Sequence, residues 1–102
     1  MKTSLKIRND IAEEYEDCPL LFMDPSEDFD VAIIGVCEGF GSEPKVAYDY
    51  EKVIKANMKM GMNREEAEEY FGYNQAGAYV GKHTPVFIHK RKKERKNGKA
   101  NR

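Results

Sequence analysis

The apolar residues of this chain stop at Ile88, and that boundary limits what the chain can fold into. From residue 89 to residue 102 no apolar side chain larger than alanine occurs. A segment of this kind has no apolar surface to bury and cannot offset the entropy lost on ordering its backbone. Any hydrophobic core must come from residues 1–88, and the sequence predicts a flexible, disordered tail over residues 89–102.

Acidic and basic residues are separated at nearly the same boundary. Residues 90–102 hold eight Lys or Arg and one acid, Glu94, whereas residues 1–89 hold nine bases and seventeen acids. The net charge of −1 for the whole chain therefore conceals a body of −8 and a tail of +7. Acids are densest in residues 9–44, where eleven of them occur without a single Lys or Arg. This asymmetry bears on partners and solubility rather than on the fold.

Length and composition favour one small domain. The chain has 102 residues, 40% of them hydrophobic, which suits a single modest core. No apolar run reaches the roughly 18 residues that span a bilayer, and residues 1–10 lack the apolar region of a signal peptide. The sequence therefore predicts a cytoplasmic protein with no membrane association, in which Cys18 and Cys37 are reduced thiols.

Helical spacing near the N-terminus predicts a short helix. Ile11 and Tyr15 recur four positions apart within residues 9–17, and an Asn or Asp at the start of this range can cap a helix there. Pro19 would end it. We expect residues 1–19 to form an acidic N-terminal segment that contains this helix.

A β-hairpin is predicted next. Residues 31–37 form a continuous apolar run rich in β-branched side chains, which favours a strand buried on both faces. A helical stripe over residues 29–37 leaves a helix open as the alternative. Residues 38–44 contain two glycines and are predicted to connect this strand to a second one at residues 45–48.

Two capped helices are predicted after the hairpin. Asp49 can cap a helix over residues 50–60 that Gly61 ends, and Asn63 with Glu66 makes a capping box for a second helix. The positions at core-facing spacing are Tyr50, Val53, Ile54 and Met58 in the first helix and Ala67, Tyr70, Phe71 and Asn74 in the second. The outward positions of the first helix are Lys52, Lys55 and Lys59.

A final strand completes the predicted domain. Residues 84–88 are apolar and β-branched and contain Pro85 near their start, where proline is tolerated in a strand. Gly72, inside the second helix, predicts a kink or a close approach. The predicted fold class is α+β: a core domain over residues 20–88 with a β-hairpin, an αα-hairpin and a last strand.

Several sequence segments of this predicted core resemble those of one group of proteins. They are the segments 32–36, 46–54, 61–62, 65–67, 73–74, 77–81 and 84–87. In order and spacing they resemble small proteins of unassigned function encoded by bacteriophages and prophages, over roughly residues 20–88. The resemblance implies a genomic setting and no particular mechanism. The lysine-rich tail departs from that group's pattern.

Few side chains offer nucleophilic or zinc-binding chemistry. Cys37 and His83 are a conceivable nucleophile and base, but Cys37 lies in an apolar run, where a thiol usually fills the core. A zinc site made of Cys18, Cys37, His83 and His89 would use single ligands far apart in sequence, unlike a paired-cysteine knuckle. The sequence predicts no catalytic residue, no metal and no cofactor, and therefore a protein that is not an enzyme.

Acidic and amide side chains have structural explanations as well. Asp24, Asp28 and Asp30 lack the glycine and terminal glutamate of a calcium loop and are expected to be solvated turn residues. Asn57 and Asn74 fall on core-facing stripes, where an amide needs partners. We expect both amides to form hydrogen bonds with neighbouring backbone groups. The alternative is that Asn74 forms a contact surface together with Tyr70, Tyr73 and Tyr79.

Two groups of residues are the predicted contact sites. The basic tail is the predicted nucleic-acid contact, through Lys90, Arg91, Lys92, Lys93, Arg95 and Lys96. Without stacking aromatics after Phe87, this binding should tolerate any sequence. The predicted protein interface comprises Glu13, Glu14, Glu16 and Asp17 near the N-terminus and Tyr70, Tyr73, Asn74 and Tyr79 later in the chain.

These features predict a small non-enzymatic accessory protein of phage type. It would bind a macromolecular partner, a host or phage protein of the nucleic-acid or defence machinery, while the tail contacts DNA or RNA. One alternative is an acidic inhibitor that mimics nucleic acid and blocks a DNA- or RNA-binding protein. A second is a small structural or assembly protein. The tail also has a simpler interpretation, as a solubilising end or one that contacts the acidic body.

Overall fold

The structure, a computed structural model, describes residues 2–76 and 81–91, with the backbone alone for residues 2–5. Its helices are α1 (Lys2–Glu14), α2 (Ser26–Phe29), α3 (Tyr50–Lys59) and α4 (Arg64–Tyr70). A 3₁₀ turn (Asp30–Ala32) follows α2, and a π-helical segment (Phe71–Gln75) follows α4. The strands are β1 (Ile33–Gly39), β2 (Ser42–Asp49) and β3 (Val86–Ile88).

The three strands form one mixed sheet in the order β1-β2-β3. β1 and β2 are an antiparallel hairpin in which Val36 lies opposite Val46. β3 returns parallel to β2, with Phe87 opposite Tyr48, because the intervening helices carry the chain back across the sheet. The predicted α+β fold of hairpin, helices and final strand is confirmed.

The core lies between the helices and the central strand β2. The largest side chains with no more than trace exposure are Tyr48, Phe29, Ile54, Val46 and Val53. They come from α2, β2 and α3, so the interior depends on contacts between elements distant in sequence. Burial of this kind is the main favourable contribution to folding.

Helix α1 is longer than the sequence pattern predicted. It begins at Lys2 instead of residue 9 and ends at Glu14, because Ile7 extends the apolar stripe of Ile11 by one turn. Ile11 is buried in the core and Ile7 packs against it. The N-terminal segment is therefore packed on the core domain.

Strand β1 differs from the prediction in its start and its burial. Asp30–Ala32 is a 3₁₀ turn, so the strand begins at Ile33. Ile33 is the one buried residue of β1 and Ile34 is 44% exposed, so the expectation of burial on both faces was wrong. The reason is position: β1 is an edge strand of the sheet, which packing covers incompletely.

The hairpin connection is shorter than predicted. The strands extend to Gly39 and from Ser42, which leaves Phe40 and Gly41 as the turn. Gly41 has a φ of 74°, the left-handed conformation that glycine adopts without steric cost. Phe40 has negative φ and is fully exposed.

Both predicted helix caps are confirmed. Asp49 accepts a hydrogen bond from the Lys52 backbone N–H at 3.4 Å. In the capping box, Asn63 accepts from the Glu66 N–H at 2.8 Å and donates its own N–H to the Glu66 carboxylate at 2.9 Å. Gly61, with a φ of 109°, ends α3.

The inner faces of the helices were predicted only in part. Met58 is exposed, and Asn57 takes the buried position beside it. Asn57 donates to the Ala67 carbonyl at 3.3 Å and exchanges two hydrogen bonds with the Gln75 amide, at 2.9 and 3.1 Å. Asn74 is exposed, so only one of the two amides predicted to need partners is in the core.

The second helix changes geometry where Gly72 was predicted to disturb it. The Ala76 N–H donates to the Phe71 carbonyl at 2.7 Å, five residues back, which defines the π-helical segment. Among the described residues, apart from the neighbouring backbone of the same helix, no atom lies within 4 Å of the position that a Gly72 Cβ would occupy. The glycine therefore marks a distortion of the helix and not a close approach.

Candidate functional site

The start of the basic tail is attached to the N-terminal end of α3. The His89 ring stacks on Tyr50 with centroids 4.0 Å apart and an interplanar angle of 21°. Tyr50 in turn meets Phe71 edge to face at 5.0 Å, and Phe71 meets Phe87 at 4.8 Å. A continuous set of aromatic contacts thus joins His89, the first tail residue, to the core. The sequence had predicted this residue to be disordered.

A charged contact reinforces this attachment. The Lys90 ammonium lies 3.2 Å from the Asp49 carboxylate, the same group that caps α3. Burial alone would raise the pKa of Asp49, but the hydrogen bonds from Lys90 and from the helix N–H groups outweigh burial and lower it. A cavity of about 280 Å³ adjoins the contact, lined also by Glu51 and Arg91.

The structure therefore separates the predicted tail contacts. Lys90 is engaged with Asp49, whereas Arg91 is exposed and takes part in none of the ion pairs observed in residues 2–76 and 81–91. The remaining predicted contacts lie outside the described residues: Lys92, Lys93, Arg95 and Lys96. The tail leaves the body at the N-terminal end of α3, and Lys52 lies in the first turn of that helix, where its backbone N–H donates to Asp49.

Three of the four later interface residues lie on the surface around the π-helical segment. Tyr73 is 83% exposed, Tyr70 ends α4 with partial exposure, and Asn74 is exposed. Tyr79 lies outside the described residues. Exposed tyrosines on an irregular helical turn are typical of contact surfaces, since π-helical turns and Tyr side chains are both enriched at functional sites.

The four predicted acidic interface residues are also on the surface. Glu13 and Glu14 end α1, Glu16 and Asp17 follow it, and all four are exposed. Between them, the Tyr15 hydroxyl donates to the Glu38 carboxylate of β1 at 2.6 Å. That hydrogen bond and the negative charge of Glu38 raise the pKa of Tyr15, and the contact holds the acidic end of α1 beside the sheet.

Cys37 and His83, the conceivable nucleophile and base that the sequence argues against, form no hydrogen bond with each other among the contacts of the described residues. Cys37 is exposed in β1, so the expectation that it fills the core was wrong. His83 instead lies near Cys18, with 3.7 Å between the Cys18 sulfur and His83 Nδ1. His83 Nδ1 is 2.8 Å from the Pro44 carbonyl, which only accepts hydrogen bonds, so Nδ1 carries a proton. The Nδ1–H therefore donates to the Pro44 carbonyl and lies near the Cys18 sulfur as well.

Asp30 and Phe40 are two further residues whose placement the sequence patterns did not indicate. Asp30, expected to be a solvated turn residue, is only 2% exposed and holds Arg8 in an ion pair at 2.9 Å. No local pattern signals that pair, because 22 residues separate its members. Phe40 is exposed at the hairpin turn, and its place between Gly39 and Gly41 was the available signal.

No group of three potential metal ligands occurs in the described part of the chain. None of the helices there is long and apolar enough to cross a membrane.

Comparisons with protein-family models, with curated proteins and with solved structures gave no significant match. The resemblance to phage proteins stays a prediction.

Proposed function

We propose that this chain is a small non-enzymatic accessory protein of phage type that acts in the cytoplasm by binding a macromolecular partner. The tail contacts nucleic acid, and the folded body presents the protein-contacting surface. The observation that carries the proposal is the attachment of the tail: His89 on Tyr50 and Lys90 on Asp49 fix where the basic residues leave the body. The chain therefore enters its basic segment from a fixed point on a body of net negative charge.

The expected binding is electrostatic and independent of sequence. Each neutralised phosphate contributes a slope of about −0.9 to the dependence of log K on log salt for duplex DNA. Four tail cations at residues 92–96 would contribute about −4. No aromatic side chain follows His89 in the sequence, so stacking cannot add base preference.

The test is fluorescence anisotropy with labelled duplex and single-stranded oligonucleotides of unrelated sequence at 50 and 200 mM salt. We expect full-length protein to bind all of them with similar affinity and to lose most of that binding when Lys92, Lys93, Arg95 and Lys96 are replaced by Gln. A control variant replaces three lysines of the body, Lys6, Lys45 and Lys82, and so removes three positive charges where the tail variant removes four. The proposal is wrong if the unmodified chain binds no oligonucleotide at 50 mM salt.

A second candidate function rests on the exposed carboxylates at the end of α1. Glu13, Glu14, Glu16 and Asp17 point to an acidic surface that a DNA- or RNA-binding protein would recognise in place of nucleic acid. A protein captured from host lysate through this surface should be released by added DNA. Replacing the four acids by Gln or Asn should abolish capture, whereas replacing Glu65 and Glu69 should not. Capture that persists in excess DNA would exclude mimicry.

A further inference from the structure

A groove of about 480 Å³ lies between α2 and α3 and shares no lining residue with the cavity at the tail attachment. One wall is the exposed face of α3, which bears Lys52, Lys55 and Lys59, here called the lysine row. Glu27 and Asp28 of α2 line the groove as well. The sequence indicates only that the lysines face outward, because the groove depends on a contact between two helices that are 20 or more residues apart in the chain.

Within the part of the chain that the structure describes, the lysine row has no carboxylate partner, whereas three of the five other body cations whose side chains are described have one; Lys45 and Lys82 do not. Lys6, Arg8 and Arg64 each form an ion pair, and Lys45 donates to a backbone carbonyl. Among the described residues no carboxylate lies within 4 Å of a lysine-row ammonium, although acids outnumber bases by seventeen to nine in residues 1–89. Three cations therefore remain available to an external anion.

The spacing of the lysine row suits a chain of phosphates. At a rise of about 1.5 Å per residue, Lys52 and Lys55 are about 4.5 Å apart along the helix axis and Lys55 and Lys59 about 6 Å. Phosphates follow one another by about 3.4 Å along a stacked strand, so the row, about 10.5 Å from Lys52 to Lys59, spans about three phosphate steps. Long, rotatable lysine side chains can follow such a row without fixed geometry.

The rest of the groove favours one strand over two. Glu27 and Asp28 repel phosphates, so a bound polyanion is confined to the α3 side. The lining also includes Val31, which is 55% exposed, and Ala56, an apolar surface against which a sugar or base can lie. A single strand offers one row of phosphates on one side and its bases on the other.

We propose that the lysine row is a second nucleic-acid contact, one that holds the phosphate backbone of a single strand in the groove between α2 and α3. It rests on the proposed function and extends it from the tail to the folded body. Tail and groove then bind the same strand, since the tail leaves the body at the end of the helix that carries the row. Linking two weak contacts in this way raises the overall affinity.

The experiment uses full-length protein and a labelled oligothymidylate of about 20 nucleotides, a length chosen to reach both tail and groove at about 3.4 Å per nucleotide. The groove variant is K52Q/K55Q/K59Q, and the control with the same change in net charge is K6Q/K45Q/K82Q. We expect the groove variant to weaken binding about tenfold or more at 50 mM salt and to reduce the salt slope by about 2, at about 0.7 per phosphate. The control should change both quantities far less.

A further variant tests the acidic residues of the groove. Replacing Glu27 and Asp28 by Gln and Asn removes their repulsion and should tighten oligothymidylate binding severalfold.

A groove variant that behaves like its control, while the tail variant loses binding, overturns the groove and leaves the proposed function standing. Loss of duplex binding with unchanged single-strand binding overturns the assignment to a single strand. Absence of all binding by unmodified protein overturns the proposed function itself.

Discussion

At the scale of single residues, the contact between Arg8 and Asp30 is the most consequential one that is not local. Asp30 is nearly fully buried, and Arg8 reaches both of its carboxylate oxygens at 2.9 Å. Arg8 also donates to the Met23 carbonyl at 3.0 Å and lies over the Phe22 ring, 4.5 Å from its centroid. One guanidinium thus connects α1, the segment before α2 and the 3₁₀ turn.

Replacing Asp30 by Asn should destabilise the fold by about 3 kcal/mol, the lower end for breaking a buried ion pair, because the Arg8 guanidinium that loses its partner is only partly buried. Asp10→Asn is the matched control, since Asp10 makes the exposed ion pair with Lys6 at 3.2 Å, and exposed pairs contribute below about 1 kcal/mol. Urea denaturation of both variants measures the difference. Equal losses would show that burial of Asp30 has no energetic consequence.

Tyr48 is a second residue that combines burial with a polar contact. Its ring is fully buried in β2, and its hydroxyl accepts the Met23 N–H at 2.7 Å. Burial disfavours the phenolate and raises the pKa of Tyr48 to about 12 from its ordinary value of 10.0. The hydroxyl therefore stays neutral over the range in which exposed tyrosines ionise.

The raised pKa gives a prediction for stability against pH. Because the folded-state value lies above the unfolded one, the contribution of Tyr48 is complete below pH 10.0 and is lost as the pH rises toward about 12. Tyr48→Phe should remove this dependence. The variant should also lose about 1 to 3 kcal/mol at neutral pH, since the Met23 N–H loses its acceptor. Thermal unfolding of both proteins from pH 8 to 11 is the measurement; parallel curves would contradict the prediction.

At the scale of elements, α3 is fixed at its N-terminus by one side chain with two tasks. Asp49 caps the helix and holds Lys90. Further along, Arg64 of α4 makes two hydrogen bonds to Glu51 of α3 and one to Glu68, all near 2.7–2.9 Å. These carboxylates raise the pKa of Arg64 further, but all three side chains are half-exposed, so their contribution to stability is small.

Two substitutions of Asp49 separate its tasks. Asp49→Asn keeps an oxygen for the cap and removes the charge, whereas Asp49→Ala removes both, and we expect Ala to cost about 1 kcal/mol more than Asn. The lowered pKa means that the charge stabilises the fold above the ordinary value of 3.8, and that this stability is lost as the pH falls through the folded-state value. Denaturation curves from pH 3 to 7 should therefore show wild type and Asp49→Asn converging at the acidic end. A constant difference would contradict the ion pair.

Sequence patterns a few residues long were sufficient to predict some features of the elements and not others. The caps at Asp49 and Asn63 and the end of α3 at Gly61 were predicted correctly because each depends on a few consecutive residues. The length of α1 and the edge position of β1 were not. Both depend on which neighbour covers an apolar stripe, and periodicity within the segment does not contain that information.

At the scale of the whole molecule, the contacts of His89 with Tyr50 and of Lys90 with Asp49 fix the point at which the basic tail joins the acidic body. His89→Ala removes the ring that stacks on Tyr50, whereas His89→Phe keeps a ring there. NMR order parameters of the Lys90 and Arg91 amides should fall in the Ala variant and stay near wild type in the Phe variant. Unchanged order in the Ala variant would mean that the Lys90–Asp49 contact alone holds the segment.

The sequence by itself determined the α+β class, the order of hairpin, helices and last strand, both helix caps, and the separation of an acidic body from a basic end. These follow from composition and from patterns a few residues long, where the causes are local. Only the tertiary structure decided that Asp30 is buried against Arg8, that Cys37 is exposed, that Gln75 satisfies Asn57, and that the lysine row faces α2 across a groove. Each of these depends on residues far apart in the chain, which come together only when the apolar faces of different elements are buried against one another.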